Sequence, residues 1–225
     1  MRNEGATGLA TLLVLADSRL PIGGHVHSGG VEEAVASGLL RDNASVELYL
    51  RRRIATTGLV TASLAAAVCE GTLPPGRADL ETDARTPSPA ARAASRAQGR
   101  GLLRLAKQLW PTPVHAGDTD HPNWSAVGTR PHLSTVFGMV GQACGANAEE
   151  LAGVVVYTTL TGAATAAQRL LALDPAAIAA STLRLAPLCD RVAAEAATGL
   201  AALSDPLQDA LAERHLHRDM PLFAS

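Results

Sequence analysis

Apolar positions recur at helical spacing through most of the chain. Val46, Leu50 and Ile54 fall at i, i+4 and i+8 with Tyr49 beside them, and Leu102, Leu105, Ala106 and Leu109 at i, i+3, i+4 and i+7. Each set forms one stripe along a helix of 3.6 residues per turn. The period-two alternation of a half-buried strand is nowhere sustained. Helix ends are marked too: Asn43 or Ser45 can cap one helix and Pro111 follows another. Asn147 precedes Glu149 and Glu150, and Ser204-Asp205-Pro206 reads as a cap with proline in the first turn. The spacing predicts helices near 7–17, 29–38, 45–70, 88–110, 132–145, 148–172, 175–203 and 205–216. The expected fold is all-α, a single-domain multi-helix bundle over residues 1–225. Pro111–Pro131, with four prolines, is expected to be an irregular surface loop. Pro221 cannot continue a helix and holds Met220 extended, so residues 218–225 are expected to form a flexible tail.

Composition strengthens this picture. Aromatics make up 3% of the chain, so packing falls to Ala, Leu, Val and Ile, the first two being strong helix formers. With 19 Lys and Arg against 21 Asp and Glu, the formal charge is −2, which provides no basic field for nucleic acid. The apolar run Leu9–Ala16 follows Glu4 and lacks a cleavage pattern, so it reads as a first helix. Leu151–Ala167 is uncharged but short for a membrane span and rich in Thr, Gly and Ala. Its Gly153, Gly162 and Ala163 would let backbones approach, which makes it the candidate face of a homodimer. Cys69, Cys144 and Cys189 are too scattered for a disulfide framework or a paired-cysteine metal site. The expected location is the cytoplasm.

The stretch LPIGGHVHSGG, residues 20–30, raises three chemical possibilities. A phosphate loop needs a lysine and a hydroxyl after its glycines, yet Gly29-Gly30 is followed by Val31-Glu32-Glu33. Those carboxylates suit a helix N-terminus. A nucleophile elbow fails because Val26 replaces the first glycine and no strand–turn–helix setting exists; Ser28 reads more simply as an N-cap. An α-helical hydrolase using Ser28 remains one alternative. His25 and His27 form an H-x-H pair suited to nickel, zinc or copper, and His215 with His217 repeats it. Two imidazoles fall short of a full coordination shell, so metal binding by His25 and His27 stays open as an alternative without a defined ion. Arg92, Arg96, Arg100 and Arg104, spaced by four, make a basic ridge that reads as a solvated face or as a docking surface for an acidic partner.

Residues Leu12-Leu13, Ala16-Asp17-Ser18, Leu20-Pro21-Ile22-Gly23-Gly24 and His27-Ser28-Gly29-Gly30-Val31-Glu32 carry a resemblance. In order and spacing they are similar to the N-terminal signature of the urease accessory family UreF, written LPxGGF-x-[YH]-S-x-G-[LI]-E. Ser95, Gln98-Gly99-Arg100 and Leu102-Leu103 resemble the family's middle helix. Ala167-Gln168-Arg169-Leu170 resembles its A-x-R-L segment, and Leu222-Phe223 with Ser225 its R-L-F-x-S ending. His25 replaces the usual Phe, Asp174-Pro175 stands where an LGQ-like turn is common, and Pro221 takes the place of the terminal Arg. Similar variants are a feature of actinobacterial members. The resemblance implies an all-α, often dimeric, non-catalytic scaffold. It would bind a UreD/UreH-like accessory protein and recruit and regulate a UreG-like GTPase, so that nickel is inserted into apo-urease. No tightly bound cofactor is implied, and beside this reading stands the alternative of a nickel-binding or nickel-relaying protein using His25 and His27. The candidate partner-binding residues are then Pro21, Gly23, Gly24, His25, His27, Ser28, Glu32, Arg96, Arg100, Arg169, Leu222, Phe223 and Ser225.

Overall fold

Residue Asn147 starts the longest helix. Its side chain accepts the Glu150 N–H at 2.8 Å while Glu150 Oε2 accepts the Asn147 N–H at 3.1 Å, a reciprocal cap. The helix runs Ala148–Leu171 and buries Leu151, Ala152, Val154, Val155, Val156, Leu160, Ala163, Ala164, Ala166 and Ala167. A helix apolar around most of its circumference belongs at the centre of a bundle, and this one packs against neighbours on several sides. The computed structural model describes residues 8–22, 27–111, 122–203, 205–218 and 222–223.

In chain order the helices are α1 (Leu9–Leu15), α2 (Val31–Ala36), α3 (Asn43–Arg53), α4 (Leu59–Cys69), α5 (Pro75–Arg85), α6 (Pro89–Leu109), α7 (Leu133–Cys144), α8 (Ala148–Leu171), α9 (Pro175–Ala196) and α10 (Pro206–His215). No strand occurs among the described residues. The fold is an all-α bundle, as the periodicity and composition predict. The packing is centred on α8 and α4: α8 lies against α4 and α9, and α4 against α7, which also contacts α6.

Several details differ from the sequence reading. The expected helix 45–70 is α3 and α4 joined by a π-helical stretch, Ile54–Gly58. Its cap is Asp42, not Asn43: the carboxylate accepts the Ser45 N–H at 2.8 Å, and Ser45 Oγ accepts the Asp42 N–H at 3.1 Å. Helix α5 was not expected at all. It buries only Ala78 and Thr82, one turn apart, and its exposed side is held by Glu81, which pairs with Arg77 at 3.0 Å and with Arg85. Helix α9 stops at Ala196 rather than near 203. Beyond it the Ala201 N–H donates to Ser63 Oγ at 3.1 Å and its carbonyl accepts Arg85 Nε at 2.8 Å, so these backbone groups serve tertiary contacts. Asp174-Pro175, a departure from the family pattern, starts α9: Asp174 accepts the Ala176 N–H at 3.1 Å and Pro175 fills the first turn.

The 111–131 segment is not wholly a surface loop. Residues 112–121 lie outside the described residues, but Trp124 is buried in a short 3₁₀ turn, Trp124–Ala126, and its Nε1–H donates to the Trp110 carbonyl at 2.7 Å. No described helix is long and apolar enough to cross a membrane.

Candidate functional site

The opening motif is built from its second half. Gly29 and Gly30 have φ of +59° and +86°, a region open to glycine at little steric cost. A Cβ on Gly30 would come within 2.6 Å of Gln208 Nε2. The sharp turn aims the Gly29 carbonyl at Arg53 Nη1 and Gln208 Nε2, both 2.6 Å away. Tyr49 Oη lies 3.2 Å from the same oxygen and donates to Gln208 Oε1 at 2.8 Å. Ser28 is buried, and its Oγ accepts the Glu32 N–H at 3.3 Å, but the N-cap of α2 is Gly30, so Ser28 holds the first turn from two residues further out and is not the cap its position suggested. Pro21 is exposed and His27 half-buried. Gly23, Gly24 and His25 lie outside the described residues.

Glu32 and Glu33 are also buried, at 4% and 5% exposure. Glu33 binds Arg214 Nε at 3.0 Å and Arg218 Nη1 at 3.1 Å, which ties α2 to α10. Glu32 accepts two backbone N–H groups from the other end of the chain, Leu222 at 2.8 Å and Phe223 at 3.0 Å. Phe223 is 8% exposed, and its ring lies 5.3 Å below the Arg169 guanidinium of α8, within cation–π range. Leu222 stays 80% exposed. The structure therefore brings Ser28, Glu32, Arg169 and Phe223 to one face. The two tail residues, expected to act together as free anchors, separate: Phe223 packs into its own domain because Glu32 and His215 satisfy its backbone, and Leu222 alone faces outward. Ser225 lies outside the described residues.

The arginine ridge splits as well. Arg100 and Arg104 are exposed. Arg92 turns back onto the Thr86 and Pro87 carbonyls at 2.6 and 2.9 Å. Arg96 binds Asp83 Oδ2 at 2.7 Å, Asp79 Oδ2 at 3.3 Å and the Arg130 carbonyl at 2.6 Å. It braces α6 against α5, whose two aspartates lie in a helix that the sequence pattern does not predict.

Between those aspartates sits His132, with no exposed surface. Nε2 lies 2.9 Å from Asp83 Oδ1 and Nδ1 lies 3.0 Å from Ser95 Oγ, while the His132 and Thr135 donors reach Asp79 Oδ1 at 2.9 and 2.7 Å. Burial pushes the His132 pKa below its ordinary value, so the ring is neutral near pH 7, donating from Nε2 to Asp83 and accepting the Ser95 hydroxyl at Nδ1. Burial would raise the Asp83 carboxyl, but His132 and Arg96 outweigh it and hold it below the usual range. A Ser–His–Asp chain is present in outline. Its ring is fully covered and Ser95 Oγ already accepts the Leu133 N–H at 3.3 Å, so the geometry is that of a brace joining α5, α6 and α7. Gly99 completes it: a Cβ there would lie 2.2 Å from the Pro131 carbonyl oxygen. The family-like spacing of Ser95 and Gly99 is thus the signal that this junction exists.

Among the described residues, no three His, Cys, Asp or Glu side chains are grouped to hold a metal. His215 of the second H-x-H turns inward, 3% exposed, toward the Phe223 carbonyl at 3.1 Å. An apolar groove of about 340 Å³ lies between α1, α6 and α7, lined by Val14, Leu15, Leu20, Leu102, Leu105 and Val140 among others. On the same helix, Leu9, Leu13 and the groove-lining Val14 leave 71%, 61% and 60% of their surface exposed.

The sequence profile of the family UreF matches residues 40–186. The chain belongs to the UreF family. It is 63% identical over 222 residues to the urease accessory protein UreF of Mycolicibacterium vanbaalenii, with 97% of this chain and 100% of that protein covered. The proteins of the same name from Mycobacterium marinum and Mycobacterium tuberculosis are 59% and 56% identical over 219 residues, again at 97% and 100% coverage. The likeness to these proteins thus covers nearly the whole chain.

Proposed function

We propose that this protein acts in urease maturation as a cytoplasmic, non-catalytic scaffold. In this reading it binds a UreD/UreH-like accessory protein and recruits and regulates a UreG-like GTPase, so that nickel enters apo-urease. The observation that carries the reading is the near-full-length likeness to proteins named urease accessory protein UreF. The way the chain uses its polar residues is in keeping with it: Ser28, Glu32, Ser95 and His132 are spent on internal bonds, while apolar side chains are left outside at Leu216 (59%) and Leu222 (80%). Nickel is the cargo of this assembly, and nucleotide chemistry falls to the GTPase.

Co-expression with candidate accessory proteins tests the proposal. The chain is expected to co-purify with the UreD-like protein and, through that complex, with the GTPase, and cells lacking it should yield urease with little nickel. Failure to co-purify with either, with normal urease nickel content, would overturn it. Leu222→Asp and Leu216→Asp are expected to weaken that complex at least tenfold, about 1.4 kcal/mol, with unchanged circular dichroism. The homodimer belongs to the same reading and is checked by light scattering at high micromolar concentration.

A further inference from the structure

The contacts around Phe223 have the form of peptide recognition. Two successive backbone N–H groups, of Leu222 and Phe223, point at the two oxygens of one buried carboxylate, Glu32, at 2.8 and 3.0 Å. The Phe223 carbonyl accepts His215 Nε2–H at 3.1 Å. Of the two described tail residues, Phe223 buries its ring, capped by Arg169, while Leu222 projects outward. Main-chain hydrogen bonds supply affinity and a pocket reads the side chain, a division of labour common in the recognition of short peptide segments.

The walls of this seat come from helices outside the tail. Glu32 comes from α2, His215 from α10 and Arg169 from α8; Glu33 with Arg214 and Arg218 fastens α2 to α10, and α2 packs on α8. His215 Nδ1 is buried without a hydrogen-bond partner, 3.8 Å from Glu32 Oε2. The ring is therefore oriented by the peptide carbonyl, not by its carboxylate neighbour. The geometry points to a receptor for a short peptide bent at a Leu-Phe pair, filled in cis by Leu222–Phe223 and able to take the same sequence from a separate molecule. A tethered ligand competes at an effective concentration of order millimolar, so the intact chain excludes a free peptide that an emptied seat admits. This inference does not rest on the proposed role in urease maturation, and its test uses no urease protein.

The experiment titrates full-length protein with the heptapeptide Asp-Met-Pro-Leu-Phe-Ala-Ser, the sequence of residues 219–225, followed by calorimetry or fluorescence anisotropy. The Phe223→Ala protein is expected to bind it at least tenfold more tightly than wild type. A peptide with its Phe replaced by Ala should not bind, and adding Glu32→Gln should weaken binding by removing one of the two acceptors. Leu222→Pro deletes one amide donor and is a second way to open the seat should Phe223→Ala not fold; it too should admit the peptide. Equal binding to wild type and to a folded seat-opened variant, no binding to that variant at millimolar peptide, or indifference to Glu32→Gln would each overturn the inference.

Discussion

His132 and Arg96 show how a single position acquires meaning from its neighbours. Arg96 looks like one of four equivalent surface arginines until Asp79 and Asp83 are placed against it, and then it differs in kind from Arg100. Arg96→Glu would set a third carboxylate beside two others and is expected to lower the melting temperature markedly. Arg100→Glu, on the exposed side, should leave it within the small range usual for surface changes, about ±0.5 kcal/mol; comparing the two melts checks this. His132 makes a pH prediction. Its folded pKa is depressed by burial, so the unfolded chain binds the proton first as pH falls below the ordinary histidine value of about 6.5. Stability therefore declines with acidification from there toward the folded value. Asp83, also depressed, adds a loss at lower pH, as pH falls below the ordinary carboxylate range. Replacing His132 with Gln is expected to cost about 1–3 kcal/mol in lost buried bonds and to flatten the pH 5–7 part of the denaturation profile. An unchanged slope would mean that His132 does not titrate with folding. Neither aspartate was legible as a partner, because nothing in one sequence pairs distant charges.

At the scale of elements, legibility followed apolar density. The long runs that became α6, α8 and most of α9 repeat an apolar stripe over several turns, and the caps of α8 at Asn147 and of α10 at Asp205 were readable from residue type. Helix α5 was not legible, since two small buried positions and a Pro-Pro-Gly start give almost no period; its helix is held by ion pairs and by what its aspartates grip. The π-helical turn Ile54–Gly58 was equally hidden, because the stripe of Val46, Leu50 and Ile54 runs into it without interruption. Close approach between helices was visible only as a family motif. Gly99 and Gly162 both sit inside helices, and isolated-helix propensity favours alanine at each by about 1 kcal/mol. Tertiary contact separates them: a Cβ on Gly99 would collide with the 131–133 backbone, whereas one on Gly162 meets nothing within 4 Å. Gly162→Ala is expected to raise stability by up to about 1 kcal/mol, and Gly99→Ala to lower it by about 1–3 kcal/mol through overpacking. Thermal or urea denaturation of the pair reads both signs at once.

For the whole molecule, the all-α bundle was readable from pattern and composition, but which helix lies inside was not. Leu151–Ala167 drew attention as a small-residue face for a second copy. As α8 it instead forms the centre of the bundle, with Ala163 and Ala164 buried and Tyr157, Gly162, Thr165 and Arg169 left outside. Small residues permit close packing without saying against what. The two ends of the chain were likewise legible as motifs and not as a contact: Glu32 lies in the opening signature and Phe223 in the ending, yet 190 positions separate Leu222 from its carboxylate partner. That closure sets opposite expectations for adjacent residues. Phe223 is 8% exposed and belongs to the core cluster, while Leu222 is 80% exposed and contributes only its backbone N–H to the domain. Phe223→Ala forfeits the ring's burial and its contact with Arg169. For buried phenylalanine the loss is about 3–5 kcal/mol, and the lower end applies to a residue near a terminus, where the chain relaxes readily. In a chain of this length about 3 kcal/mol corresponds to a fall in melting temperature of roughly 6–12 °C. Leu222→Ala keeps the N–H and removes a side chain already in solvent, so it should shift the midpoint by no more than about 1–2 °C. Calorimetric scans of the two variants decide the matter: equal small shifts would mean that the tail does not brace the domain, and equal large ones that Leu222 is also covered.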